Sequence, residues 1–174
     1  MAIGIIASSV FLLSLIFPAF AYELLGGKWP NDEVESLYYY DWTSYTEVST
    51  SANDWSTQYI IPNIYEYPYP EYPLVHIHET TNKAWEGYCE LSPGPDGPTY
   101  TAADIWLNDD YLGGYGSNKR RSVIAHEFGH LLGLAHESGT VLMNAYTSER
   151  YDTYGIYIPT DDEVNGVNAI YGMP

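Results

Sequence analysis

Leu74-Val75-His76-Ile77-His78-Glu79 and Ala103-Asp104-Ile105-Trp106-Leu107-Asn108 both alternate between apolar and polar residues. A two-residue period puts successive side chains on opposite faces of a half-buried strand. Ser36–Tyr40 is aromatic enough for another strand, and Gly87–Leu91 is a short fourth candidate. Elsewhere the period lengthens. Val48, Ala52 and Trp55 recur at helical spacing, as do Ile124, Phe128, Leu131 and Leu132 in a helix that starts near Lys119. Gly133 falls where that helix should stop, because glycine enters the left-handed region at little cost. Thr160-Asp161-Asp162-Glu163 matches a capping box and opens a last helix to about Ile170, before Gly172.

The segments between are turn material. Gly26-Gly27 and Pro30-Asn31-Asp32 break the chain early, Ser92–Pro98 is rich in proline and glycine, and Gly113–Gly116 leads into the long helix. Asn63–Pro73 holds three prolines and four tyrosines, which predicts an extended surface loop or a sheet edge. Strands followed by helices, without regular alternation or internal repeats, predict an α+β domain.

Residues 1–21, MAIGIIASSVFLLSLIFPAFA, carry no charged side chain and end in Ala19-Phe20-Ala21. This reads as a secretory signal peptide removed before Tyr22. No Lys or Arg precedes the apolar run, and its length approaches that of a membrane span, so a retained anchor is the other reading. Both place residues 22–174 outside the cell as one domain. A single cysteine, Cys89, excludes a disulfide within the chain. The formal charge of −17, from 23 acidic and 6 basic side chains, disfavours nucleic acid and anionic lipid as partners. Half of the basic residues sit together at Lys119-Arg120-Arg121 and read as a solvated helix start, although positive charge there opposes the helix dipole.

The chemistry lies in HEFGHLLGLAH, His126–His136. Positions four apart share a helix face, so His126 and His130 point to one spot. A turn at Gly133 brings His136 back toward it. Three neutral imidazoles with an open fourth position are the ligand set of a catalytic zinc. Glu127, rotated about 100° from His126, stands beside the open position. There it can take a proton from a water that zinc acidifies to a pKa of roughly 7. The opposing reading is a helix whose histidines are merely buried and hydrogen-bonded, or a zinc-stabilised binding module without activity.

HEFGH followed by LGLAH resembles the metzincin clan of zinc endopeptidases, and most closely its matrixin branch. Lys28-Trp29-Pro30, Val141-Leu142-Met143 seven residues beyond His136, and the closing DDEVNGVNAIYG from Asp161 to Gly172 extend the resemblance. It implies a twisted mixed sheet with an antiparallel edge strand, an active-site helix and a C-terminal helix. It also implies a secreted endopeptidase acting on protein or peptide substrates, expected to be a monomer. His126, His130 and His136 would bind the catalytic zinc, Glu127 would be the general base, and Met143 would lie beneath the metal. Substrate would run antiparallel to the edge strand, for which Gly87–Leu91 is the candidate.

The departures matter too. Glu137 stands where matrixins usually have serine, and Asn144-Ala145-Tyr146 lacks the proline that shapes the specificity pocket. Tyr146 then lines that pocket, helps stabilise an oxyanion, or is a packed core residue. Only His76 and His78 remain toward the family's second zinc, with Trp106 where a histidine is wanted, so no complete second site is expected. Asn108, Asp109 and Asp110 fall near a family calcium site and offer oxygen ligands. No propeptide cysteine precedes Lys28. Cys89 is read as a small strand residue or as a thiolate reaching the zinc.

Overall fold

The structure is a computed structural model and describes residues 22–57 and 63–172. The proposed leader, residues 1–21, lies outside the described residues. Alternation produces a five-stranded sheet, with β1 at Leu37–Asp41, β2 at Ile64–Glu66, β3 at Val75–Thr80, β4 at Gly87–Ser92 and β5 at Ala102–Asn108. Their order across the sheet is β2-β1-β3-β5-β4. All neighbours are parallel except β4, which runs antiparallel to β5 and forms one edge. This is the matrixin-like mixed sheet. Its other edge, β2, falls inside the proline-rich segment that reads as a loop or an edge.

The helices are α1 (Asn31–Val34), α2 (Glu47–Ser56), α3 (Asp109–Leu112), α4 (Ser117–Leu131) and α5 (Asp161–Tyr171), with a π-helical turn at Ser148–Thr153. Leu37, Tyr39, Val75, Ile77, Ile105 and Leu107 face inward and are buried. Val48, Ala52 and Trp55 of α2, and Val123, Ile124 and Phe128 of α4, are buried with them in one core. Each of the buried valine, leucine, isoleucine and phenylalanine side chains contributes about 1.5–3 kcal/mol through the surface it removes from water. Two indoles fasten the core to α4: Trp55 Nε1 donates to Ala125 O (3.0 Å) and Trp29 Nε1 to Leu131 O (2.8 Å).

Two expectations change here. Lys119, Arg120 and Arg121 are not a solvated helix start. They pair with Asp152 (2.8 Å), Glu47 (2.9 Å) and Asp54 (2.5 Å), so the unfavourable dipole position is offset by carboxylates from α2 and the π-helical turn. The short α1, α3 and π-helical turn leave no periodic signal, because four to six residues do not complete an amphipathic repeat.

The opposite face of the sheet carries Tyr38, Tyr40, His76, His78, Asp104 and Trp106, none of them buried. His78 Nε2 lies 2.8 Å from Asp104 Oδ1, its ring stacks on Trp106 with centroids 4.3 Å apart, and His76 Nε2 lies 3.1 Å from Pro70 O. Both histidines thus have protein partners, and the one group of His, Cys, Asp or Glu ligand atoms among the described residues that could hold an ion lies elsewhere.

Candidate active site

α4 is buried almost all round, from Ser122 to Gly129. Its histidines therefore sit in a wall of the molecule rather than on an open surface. His126 Nδ1 lies 2.9 Å from Leu142 O and His130 Nδ1 lies 2.8 Å from Leu134 O. A carbonyl can only accept, so both Nδ1 atoms carry the proton and both Nε2 lone pairs are bare. Gly133, with φ +97°, ends the helix and turns the chain so that His136 returns. His130 Nε2 and His136 Nε2 are then 3.1 Å apart, and ligand atoms of all three imidazoles lie within 4.8 Å of one another. A tetrahedral zinc with bonds of roughly 2.0–2.1 Å would set its nitrogens about 3.3 Å apart. The cluster fits that ion. Burial holds His126 well below its ordinary pKa and lowers His130 to about 4, so the rings are neutral, as ligands must be.

Glu127 is 4 % exposed and points to the edge strand. Its carboxylate accepts from the Cys89 backbone N–H. Gly87 approaches so closely that a Cβ there would stand 2.5 Å from Glu127 Oε1. Burial pushes the Glu127 carboxyl up to about 8, Arg150 opposes this, Glu86 adds to it, and the Cys89 N–H opposes it. No salt bridge ties the group down among the described residues. A cleft of about 1160 Å³ opens between β4, α4 and the segment after Met143, with Glu127 and the three histidines in its wall.

Gly129 explains the glycine of HEFGH. A Cβ there would meet Met143 Sδ at 2.3 Å, so the missing side chain lets the methionine pack beneath the histidine helix. Met143 is 2 % exposed, and its backbone N–H donates to Glu163 Oε1 (2.9 Å).

The matrixin family model matches residues 51–172. The chain belongs to the matrixin family. Over 90 residues it is 37% identical to matrix metalloproteinase-20 of Homo sapiens, covering 44% of this chain and 18% of that protein. Over 53 residues it is 45% identical to neutrophil collagenase of Homo sapiens, covering 29% of this chain and 11% of that protein. The matched region thus spans less than a fifth of either relative's length.

Within this matrixin framework, Tyr146 is not a packed core residue. It is two-thirds exposed (67%) and lines the cleft. Asn144 donates to Gly139 O (3.0 Å) and accepts from Tyr146 N–H (3.0 Å). Cys89 stays outside the histidine cluster, and burial pushes its thiol well up.

Asn108, Asp109 and Asp110 lie at the start of α3. Asn108 donates to Lys83 O (3.1 Å) and Trp85 O (2.8 Å) and accepts from Asp110 N–H (3.2 Å). Asp109 accepts from Tyr45 and Asp110 from Asn82 N–H (2.6 Å).

Glu86, Gly87, Arg150 and the second job of Glu163 escape a reading of the sequence. A glycine at the start of a strand and an arginine in a turn carry no local sign of the distant group they meet. Glu163 did carry one, but only for its capping box.

Proposed function

We propose that this chain is a secreted zinc-dependent endopeptidase, in which residues 1–21 direct export and residues 22–174 form one catalytic domain. His126, His130 and His136 would hold the ion, with Met143 packed beneath and Glu127 as general base. When bound, zinc supplies a Lewis acid that polarises a peptide carbonyl and acidifies water. A dication beside Glu127 favours its charged form and opposes the effect of burial. The carboxylate takes the proton of the attacking water and returns it to the leaving amine, so that one C–O bond forms as the C–N bond breaks.

The free edge of β4 offers main-chain donors and acceptors to an extended segment, which would bind antiparallel with little sequence choice. Tyr146 stands in the cleft wall, where it can contact that segment. A hydrophobic pocket preference goes with this reading. The observation that carries the proposal is the convergence of three imidazoles, two of them with Nδ1 committed to backbone carbonyls, while a buried carboxylate lies against the edge strand.

The purified, zinc-loaded chain should cleave an unfolded protein such as casein, and a chelator should abolish cleavage. Full activity in Glu127→Ala would overturn the mechanism. Zinc binding without cleavage of any protein would favour a binding module. No helix among the described residues is long and apolar enough to cross a membrane. Mass spectrometry of the exported chain should find Tyr22 as its first residue, and an intact N-terminus would indicate a retained anchor.

A further inference from the structure

Arg150 is 2 % exposed, yet none of the ion pairs among the described residues includes it. A buried guanidinium without a direct carboxylate partner is unfavourable, so packing alone does not account for it. Its nitrogens donate to three different parts of the site. Nε donates to Ser122 Oγ (2.9 Å), one helical turn before His126. Nη1 donates to Asn144 O (2.5 Å) and lies 3.2 Å from His126 Nδ1. Nη2 donates to Thr147 Oγ1 (2.8 Å), whose hydroxyl donates to Glu86 Oε2, while Glu86 Oε1 accepts from Tyr115 OH (2.5 Å).

The three residues behind His126 are each held by a different group. Leu142 O takes the His126 proton, Met143 N–H goes to Glu163, and Asn144 O goes to Arg150. Because His126 Nδ1 already donates to Leu142, Arg150 acts on the ring through the backbone that holds it. Glu86 lies next to Gly87, the residue that abuts Glu127. One arginine therefore links the metal helix, the methionine turn and the approach to the edge strand.

We propose that Arg150 is a positioning residue, clamping the Leu142–Asn144 segment that orients His126 and, through Thr147 and Glu86, fixing the spacing of the two cleft walls. This rests on reading His126 as a zinc ligand. A planar guanidinium donates in several fixed directions at once, whereas a lysine ammonium is a single point.

The test uses the zinc-loaded chain and reads zinc affinity by chelator competition alongside kcat and KM. Arg150→Lys should weaken zinc about 10- to 100-fold, the usual effect of losing support around a ligand, and should lower kcat more than it raises KM. Thr147→Val keeps the shape and loses the hydroxyl. It should lower zinc affinity or kcat about 3- to 10-fold, what one hydrogen bond is worth. Thr147→Ser keeps the hydroxyl and should stay within about twofold of the parent.

The reverse order, with Val like the parent and Ser impaired, would show a packing role and overturn the clamp. So would a folded Arg150→Lys with unchanged zinc affinity and kcat. If Arg150→Lys does not fold, the Thr147 pair decides alone. A parent that binds zinc but cleaves nothing refutes the protease while the affinities still test the clamp.

Discussion

The chain carries two groups of histidines, one on each side of its sheet, and they differ in what their Nε2 atoms face. In α4 and the turn after it, backbone carbonyls occupy Nδ1 of His126 and His130, and the Nε2 lone pairs turn toward a shared point. On the outer face, His78 spends Nε2 on Asp104 and stacks on Trp106, while His76 Nε2 meets Pro70 O. Two histidines two apart on a strand share a face as surely as two histidines four apart on a helix. What makes a ligand set is the second partner of each ring, which fixes the tautomer and leaves one nitrogen bare. Burial adds to the contrast. The pKa of His126 and His130 is driven down mainly by burial, in a wall where a proton is costly and a metal ion is the remaining cation the rings can accept.

Exchanging the two groups by mutation gives the largest expected effect. His130→Ala should remove stoichiometric zinc binding, while His78→Ala should leave zinc content unchanged, as read by metal analysis after gel filtration. Equal loss in both variants would put the ion elsewhere. Next, Glu127→Gln should retain zinc and lower kcat by on the order of 10²–10⁴, separating the carboxylate from the ligands.

Gly87→Ala tests the approach to that carboxylate, since its methyl would reach 2.5 Å from Glu127 Oε1. We expect at least a ~10-fold fall in kcat/KM, because displacing a reacting group by about 1 Å can cost 10²-fold. Secondary structure should be retained, as circular dichroism would show.

The pH dependence of the zinc-free chain gives a smaller effect. His130 titrates near 4 when folded and about 6.5 when unfolded, and His126 shifts the same way. The unfolded chain therefore binds more protons below about 6.5, and the histidines' contribution to stability is lost as pH falls from there toward 4. Glu127 acts oppositely. Its folded pKa of about 8 exceeds the ordinary 4.5, so its contribution declines as pH rises from 4.5 to 8. His136 shifts with the other two histidines, so urea unfolding should find stability falling as pH drops from about 6.5 toward 4. A steady rise toward pH 5 would contradict these environments. The smallest effect should come from Asp104→Asn on the outer face, where the partly exposed pair with His78 is worth less than ~1 kcal/mol in urea unfolding.

Alternation located β3 and β5, aromatic content β1 and a short candidate run β4, each to within a residue or two, and helical spacing with a capping box located α2, α4 and α5 nearly as closely. The capping box at Thr160 and Glu163 is present as read. It was legible because both of its partners lie within one helical turn. Glu163 also holds Met143 N–H, twenty residues away, and that half of its role was invisible. Lys119, Arg120 and Arg121 likewise show only their own charge in the sequence, while their carboxylates come from residues 33, 73 and 67 positions away. Asn108, Asp109 and Asp110 are alike in this, since their hydrogen bonds with Tyr45, Asn82 and Lys83 reach residues 25 to 64 positions away.

The amino-acid order alone determined everything that one turn of helix or one pleat of strand can enforce. That includes the common face of His126 and His130, the stop at Gly133, the alternation of the strands and the matrixin signature. Folding in three dimensions decided which strand became the edge, that Gly87 meets Glu127, and that Arg150 reaches behind His126. Those contacts join segments tens of residues apart, and nothing in local spacing or propensity encodes which distant carbonyl or carboxylate a side chain will find.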